Sequence, residues 1–490
     1  MLLAGRAACI PLWAVKYVPL QDLPAHFATL RILSDLHNPA YGLSDYASNM
    51  GETQYLSLYA VGVLLGKIIG VKASLLVIMS AMQLGIVLTT YGLAERLSGD
   101  GRVALLTIPL LYNSILMLGF VQFVFGIPVM LGMWIAALVY RDKRDLRSGI
   151  VLGALEVFLF YSHLFPFAVG QLGLLAILRP RSWVEIKKLV VYLLPTGLAF
   201  VHWAFLTAGA RAVGSFLSTT GEKMPLSEAV RSFYTVGFDS FRDSTDERHV
   251  LIAVVIAVLV WLGGAAAPEG ARPMRRWMGL VTFVCLILFF VSQDSNGYMY
   301  YIRDRYPVLF AFTVVPLVRF PAGWRGHLAA LAMCVLAGST LESVTWHFRM
   351  VERYELGDFD GALAALPNGK RVLSLIYSTS SAYVQRDPFV HFVDYCQLAH
   401  GGTVFMSFVG QPHWPARYQD HRALDGLDTA RLGQEWNPDR TLNDPYLAEK
   451  FDYVLVRGPG FDPPERLFHR VWAGDRWSVW QPRPGWREAQ

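Results

Sequence analysis

VQFVFGIPVMLGMWIAALVYRDKR, residues 121–144, decides the fold class. The stretch from Val121 to Tyr140 carries no charge, and Arg141, Lys143 and Arg144 follow it directly. About 20 apolar residues are what a helix needs to cross a hydrocarbon core of roughly 30 Å. A basic cluster at one end marks the cytoplasmic side. This segment therefore reads as a transmembrane helix.

Similar runs lie on both sides of it. They are the opening segment Met1–Leu20, Ala73–Leu93, Val103–Leu118, Gly149–Tyr161, His163–Leu178, Leu189–Ala208, Val250–Ala266, Trp277–Ser292, Pro307–Leu317 and His327–Leu341. Together they predict about eleven spans, several shorter than a perpendicular helix requires. The composition agrees. Of 490 residues, 54% are hydrophobic and 17% charged, against about 25% charged in soluble chains. The expected fold is an all-α transmembrane bundle over residues 1–341, with a long external loop at 20–54. A soluble α/β domain follows over 342–490.

Loop charge predicts orientation. Arg96 and Arg102, then Arg141 to Arg147, Arg179 to Lys188, Arg272 to Arg276, and Arg319 with Arg325 share one face only if Tyr55–Gly70 does not cross. That short segment is therefore expected to lie at the interface. The basic face is cytoplasmic by the positive-inside rule. Residues 20–54, 209–249, 293–306 and the C-terminal domain then face outward. In a membrane chain the net charge of +5 reports topology rather than nucleic-acid binding. Cys9, Cys285 and Cys334 sit in apolar segments and Cys396 in the tail, so no disulfide framework or metal cluster is implied. In the tail, RVLSLIY (371–377) and FDYVLV (451–456) read as strands and Phe389–Leu398 as a helix. No nucleophile elbow or phosphate loop follows those strands.

The strongest chemical constellation is YVPLQDLPAHF, residues 17–27. Asp22 follows the first apolar segment closely, and His26 is four residues on, so a helical turn places both on one face. Two readings stand beside each other. Asp22 caps a juxtamembrane helix, or it is an acid kept at a membrane vestibule for a task. Arg303 and Arg305 lie at the outer end of a predicted span, where their plain reading is pairing with Asp304 or Asp294. His163 stands at an external turn, where its plain reading is a residue bonding backbone. Asp35 and His37 accompany Asp22 on its loop. The charged run FDSFRDSTDERH (238–249) is read as a solvated loop, His202 as a bundle residue, and Glu156 as an intramembrane acid.

In their order along the chain, these features resemble the GT-C class of polytopic glycosyltransferases. The resemblance rests on Asp22–His26, the Tyr55–Gly70 helix running into Ala73, the Asn113…Gly119-Phe120…Phe123…Gly126…Pro128 stretch, and Arg303-Asp304-Arg305-Tyr306-Pro307. The tail departs from the better-described C-terminal domains of the class. The resemblance implies a bacterial inner-membrane enzyme with its C-terminal domain outside the cytoplasm. Its donor would be a polyprenyl-phosphate-linked sugar. Its acceptor would be a glycan, lipid or protein, and no nucleic acid is involved. Asp22 would be the general base of an inverting displacement, with His26 and Asp35 beside it. Arg303, Arg305 and His163 would hold the donor phosphate. Some members use a divalent ion; no essential cofactor is expected here. The competing classes are a transporter or lipid flippase, for which no internal symmetry is visible, and a non-catalytic scaffold, which would need no acid at position 22.

Overall fold

The structure, a computed structural model, describes residues 1–180, 182–207, 224–264, 269–295, 300–405, 408–411, 413–419, 435–438, 451–463, 465 and 467–483. Part of the loop expected at 209–249 and of the span ending at Ala208 lies outside them. The chain forms two compact units. One holds Met1–Ala14, Glu52–Leu58 and Val77–Trp346; the other holds Val15–Gly51, Tyr59–Leu76 and His347–Gln490.

The first unit is helical. Among the described residues, four helices are long and apolar enough to cross a bilayer: Val71–Ser98, Val121–Lys143, Arg272–Val291 and the one beginning at Gly323. Five shorter apolar helices are found as well, of which Leu56–Ile69 falls mostly in the second unit. The chain is thus a multi-pass membrane protein, and about eleven full-length spans is not what the helix lengths establish. The segment expected as the span Val103–Leu118 is instead a 3-10 helix, Gly101–Leu110, and a short α-helix, Ser114–Met117. Pro109 lies inside the first and lacks a backbone donor. The opening segment likewise gives two short helices, Leu2–Ala7 and Ile10–Trp13.

Glycine lets these helices approach closely, as apolar bundles without a hydrophobic drive between helices require. Gly170 and Gly173 on helix Leu164–Leu178 face Trp134 of helix Val121–Lys143. The indole Nε1 donates to the Gly170 carbonyl at 3.0 Å, and a Cβ on Gly173 would meet that ring at 2.2 Å. Gly149 and Gly153 of helix Leu146–Phe160 meet Tyr192 of helix Trp183–Leu206 in the same way.

The charged run at 238–249 is not simply a solvated loop. Helix Thr245–Leu262 starts inside it, with Asp246 and Glu247 in its first turn, where the helix dipole favours acids. The buried Asp246 carboxylate accepts from the backbone N–H of Ser240 and of Phe241. His202 is exposed on its helix rather than buried in the bundle. Glu156 is buried, and its Oε2 has no hydrogen-bond partner among the described residues.

The second unit is α/β. The two predicted strands form as β2 (Arg371–Ile376) and β5 (Tyr453–Arg457) and pair with each other in parallel, Val372 opposite Tyr453. Both are almost wholly buried, which is why they read as unbroken apolar runs. The sheet order is β3-β2-β5-β7-β6, with β3 at Thr403–Val404, β6 at Phe468–Ala473 and β7 at Trp477–Pro482. β7 runs antiparallel to both β5 and β6. A separate antiparallel pair joins β1 (Tyr46–Ser48) to β4 (Ala416–Tyr418), so the end of the first loop and the tail fold as one body. Helix Gly323–Met350 runs through Glu342, where the composition changes.

Helix Leu23–Asp35 is buried around most of its circumference in this unit, and packs against helix Asp394–His400. The helix expected at Phe389–Leu398 starts only at Asp394 because His391 has φ +60°, a conformation that α-helix excludes. Trp477 is fully buried, stacks on Phe392 at 5.5 Å and donates to the Leu356 carbonyl at 2.6 Å. Trp477→Ala is therefore expected to destabilise this unit by about 3–5 kcal/mol, read as an earlier thermal transition in detergent. An unchanged transition would show that the sheet is not anchored there.

Candidate functional site

Asp22 occupies the N-cap position of helix Leu23–Asp35, with Pro24 in the first turn. Proline suits that position because its missing N–H would be unpaired there anyway. A capping aspartate accepts a backbone N–H from within the first turn. Asp22 makes no such bond, so the capping account of this residue fails. Among the described residues its carboxyl accepts a single long contact, 3.4 Å from Gln21 Nε2, and it lies 3.9 Å from His391 Nε2. It is 8% exposed. Burial pushes its pKa up to about 7, against the lowering effect of Gln21, and the negative charge of Glu435 adds to the rise.

His26 lies one turn on, as the i, i+4 spacing predicted, and is buried. Its Nδ1 is 2.7 Å from the Tyr59 hydroxyl, and its ring sits 5.6 Å from that of Trp414. Trp414 Nε1 in turn donates to Thr29 Oγ1 at 2.8 Å. His26 is thus held by aromatic neighbours. Asp35 is not brought to Asp22. It ends the same 13-residue helix, about 20 Å along the axis, and forms an i, i+4 ion pair with Arg31 at 2.5 Å.

Three residues near Asp22 were not singled out from the sequence. His391 enters through its left-handed turn and places Nδ1 3.5 Å from Glu435 Oε1. Glu435 is fully buried. Its carboxylate accepts from Ser374 Oγ at 2.6 Å and from the His391 backbone N–H. Burial pushes the Glu435 carboxyl up to about 7, against these hydrogen bonds. Burial likewise takes the His391 imidazole down to about 4, so the ring is neutral at physiological pH. Asp394, one turn further, is 1% exposed with neither carboxyl oxygen hydrogen-bonded among the described residues. Burial raises it first, and Glu435 and Asp22 raise it further. Among the described residues, none of the charges acting on the three carboxyls is a lysine or arginine. No motif surrounds His391 or Glu435, so nothing in the sequence pointed to them.

In the helical unit, the structure brings Arg305 and His163 into one aromatic cluster. Arg305 opens helix Arg305–Val314. Its guanidinium lies 4.7 Å from the Phe165 ring and 4.9 Å from the Phe120 ring, and Nη2 donates to the Tyr300 carbonyl at 3.1 Å. His163 is the N-cap of helix Leu164–Leu178, where Nδ1 accepts from the Phe165 N–H at 3.2 Å. The backbone-bonding reading of His163 therefore holds. Its ring also packs on Tyr55 at 5.4 Å. Arg303 is 4% exposed and reaches Asp294 and Asp304 only at 3.5 Å. Its Nε and Nη1, and Arg305 Nε, have no hydrogen-bond partner among the described residues. Two arginines at a helix N-terminus oppose the helix dipole; the same arrangement suits a bound anion. Among the described residues, no group of three or more His, Cys, Asp or Glu is arranged to hold a metal ion.

No protein-family model and no curated protein sequence matches this chain. Solved structures do. The crystal structure of ArnT from Cupriavidus metallidurans bound to undecaprenyl phosphate aligns with TM-score 0.55 and 12% identity, covering 99% of this chain and 97% of that one. The apo state of the same protein gives 0.53 and 11%, over 96% and 95%. At that identity the likeness speaks for the fold. It is the GT-C membrane fold that the order of sequence features led us to expect, and it extends over nearly the whole of both chains.

Proposed function

We propose that this chain is a GT-C membrane glycosyltransferase that moves a sugar from a polyprenyl-phosphate donor to an acceptor at the extracytoplasmic face, with inversion and with Asp22 as general base. One observation carries the reading. A carboxyl stands at a helix N-cap, makes no capping bond, and is buried so that it titrates at about 7. Burying an acid without a structural bond is costly. A base titrating near the working pH is the return for that cost.

The chemistry follows. The Asp22 carboxylate takes the proton of an acceptor hydroxyl or amine. The acceptor lone pair attacks the anomeric carbon from the face opposite the phosphate, the C–O bond to phosphate breaks, and its electrons stay on the lipid phosphate. That growing charge needs cationic donors. Arg303 and Arg305, with donors unused among the described residues at a helix N-terminus, suit it through their planar forks. ArnT, whose fold this chain shares, has been crystallised with undecaprenyl phosphate, which supports a polyprenyl-phosphate ligand here too. His163 and His26 shape the aromatic surroundings of the two groups. No step requires a metal.

The test uses protein purified in detergent with a panel of undecaprenyl-phosphate-linked pentoses and hexoses, following free undecaprenyl phosphate by mass spectrometry. Wild-type protein is expected to release it, and Asp22→Asn to do so about 10²–10⁴-fold more slowly. Equal release by both removes Asp22 from the mechanism. No release with any donor favours the transporter or scaffold reading. Arg305→Lys is expected to raise the KM for the donor about tenfold or more, since a lysine cannot reproduce the fork.

The titration adds a stability prediction. The folded-state pKa of Asp22 lies above its unfolded value, so its favourable contribution is complete below about pH 4 and is lost as pH rises through about 7. An amide in its place never ionises. The Asp22→Asn variant should therefore gain melting temperature over wild type as pH rises from about 5 to about 8. A difference constant with pH would show that the buried carboxyl does not titrate in this range.

A further inference from the structure

The tail enters the site through His391 and Glu435, and the reading of Asp22 as base leaves both unused. The imidazole lies between two buried carboxyls, Nε2 at 3.9 Å from Asp22 and Nδ1 at 3.5 Å from Glu435. Glu435 is fixed from two other directions, by Ser374 Oγ on β2 and by the His391 backbone N–H. No described cation balances the pair. Two carboxylates that sense each other without a counter-ion cannot both be charged at low cost, and one retains a proton.

We infer that Asp22 and Glu435 form one proton-sharing pair across His391, and that this pair sets the ionisation of the base. The inference rests on the reading of Asp22 as base. His391 and Glu435 act through Asp22 and are positioning residues. The transfer balances as follows. The Asp22 carboxyl gives its proton to Nε2 while Nδ1–H goes to Glu435 Oε1, so the imidazole is neutral before and after and exchanges only its tautomer. With the proton on Glu435, Asp22 is charged and ready to accept the proton of the acceptor. After turnover that proton leaves through Asp22, which is 8% exposed, rather than Glu435, which is 0% exposed. Similar carboxyl values, each pushed up to about 7, let the proton reside on either side. Contacts of 3.5 and 3.9 Å are longer than hydrogen bonds, and such contacts commonly tighten when substrate binds. Among the described residues, the titratable groups that face His391 are Asp22 and Glu435, and Asp394 is coupled to both of them. Asp394 lies on the helix that begins three positions later, where burial first and then the charges of Glu435 and Asp22 hold its carboxyl toward the protonated form.

The test does not depend on finding the substrate. The infrared band of protonated carboxyls is titrated in D2O for the detergent-solubilised full chain, with Asp22→Asn assigning the Asp22 component. Glu435→Gln removes the like charge but can still accept from the His391 N–H. It is expected to move the Asp22 midpoint to lower pH by about one unit. Ser374→Ala removes a bond that favours charged Glu435. Its proton then stays on Glu435, and the Asp22 midpoint should fall as well, which covers the case in which Glu435→Gln does not fold. In turnover with the donor panel, Glu435→Gln should shift the acidic limb the same way, so the variant works faster than wild type at about pH 6. A purely structural role would lower the rate at every pH. An Asp22 midpoint unmoved in both variants overturns the pair. If Asp22→Asn abolishes release while Glu435→Gln leaves the limb in place, the base stands and the pair falls. If Asp22→Asn turns over like wild type but the infrared shift is present, the pair stands and the base falls.

Discussion

The desolvation of Asp22 is the constraint around which the second unit is organised. A carboxyl at a helix N-terminus has a ready partner in the first-turn N–H groups, and Asp22 does not take it. Instead the chain surrounds it with Gln21, His391, Glu435 and Asp394 and supplies no cation among the described residues. Each of those groups except Gln21 is itself buried. A fold selected for stability alone would place a lysine there or leave the site apolar. Keeping the cluster is costly, and proteins accept such costs chiefly where function depends on them.

The rest of the unit keeps this arrangement rigid. Helix Leu23–Asp35, which carries His26 and begins directly after Asp22, is bonded to the tail along its length. Thr29 receives the Trp414 indole, and Arg31 donates to the Leu398 carbonyl at 2.8 Å. Beyond the helix, Asp45 accepts from Arg371 and Thr403, on two strands of the sheet. The first loop and the tail therefore form a single folded body, although most of the chain runs between their contacting positions. In physical terms the tail belongs to the surroundings of Asp22, since Glu435 and His391 come from it.

What was legible in the sequence follows from the range of the signal. Apolar runs identified Val121–Lys143 and its neighbours because lipid demands a continuous signal over about 20 residues. The two tail strands were legible because strands buried on both faces show unbroken β-branched runs. The i, i+4 spacing carried Asp22 and His26 onto one face because it is local. The same local view failed at Val103–Leu118, where hydropathy reports composition and not the kind of helix that Pro109 permits. It failed at Asp35 because nearness in sequence along a helix becomes separation in space. It could not reach Glu435, whose influence on Asp22 depends on bringing the two ends of the chain together.

His391 shows why the missed part is also the informative part. The sequence around it, FVHFVDYCQL, reads as one helix from Phe389. The chain departs from that at a single residue, with φ +60°. For a non-glycine residue this conformation costs about 1–2 kcal/mol, and continuing the helix would have avoided it. The departure delays helix Asp394–His400 by one turn and aims the His391 ring between Asp22 and Glu435, while the His391 N–H binds the Glu435 carboxylate. Local strain, a buried acid with no cation beside it among the described residues, and a neutral ring between two carboxyls occur at one point of the unit. Strain of this kind persists only where surrounding contacts over-determine it. Here those contacts join the N-terminal loop that carries Asp22 to the C-terminal segment that carries Glu435.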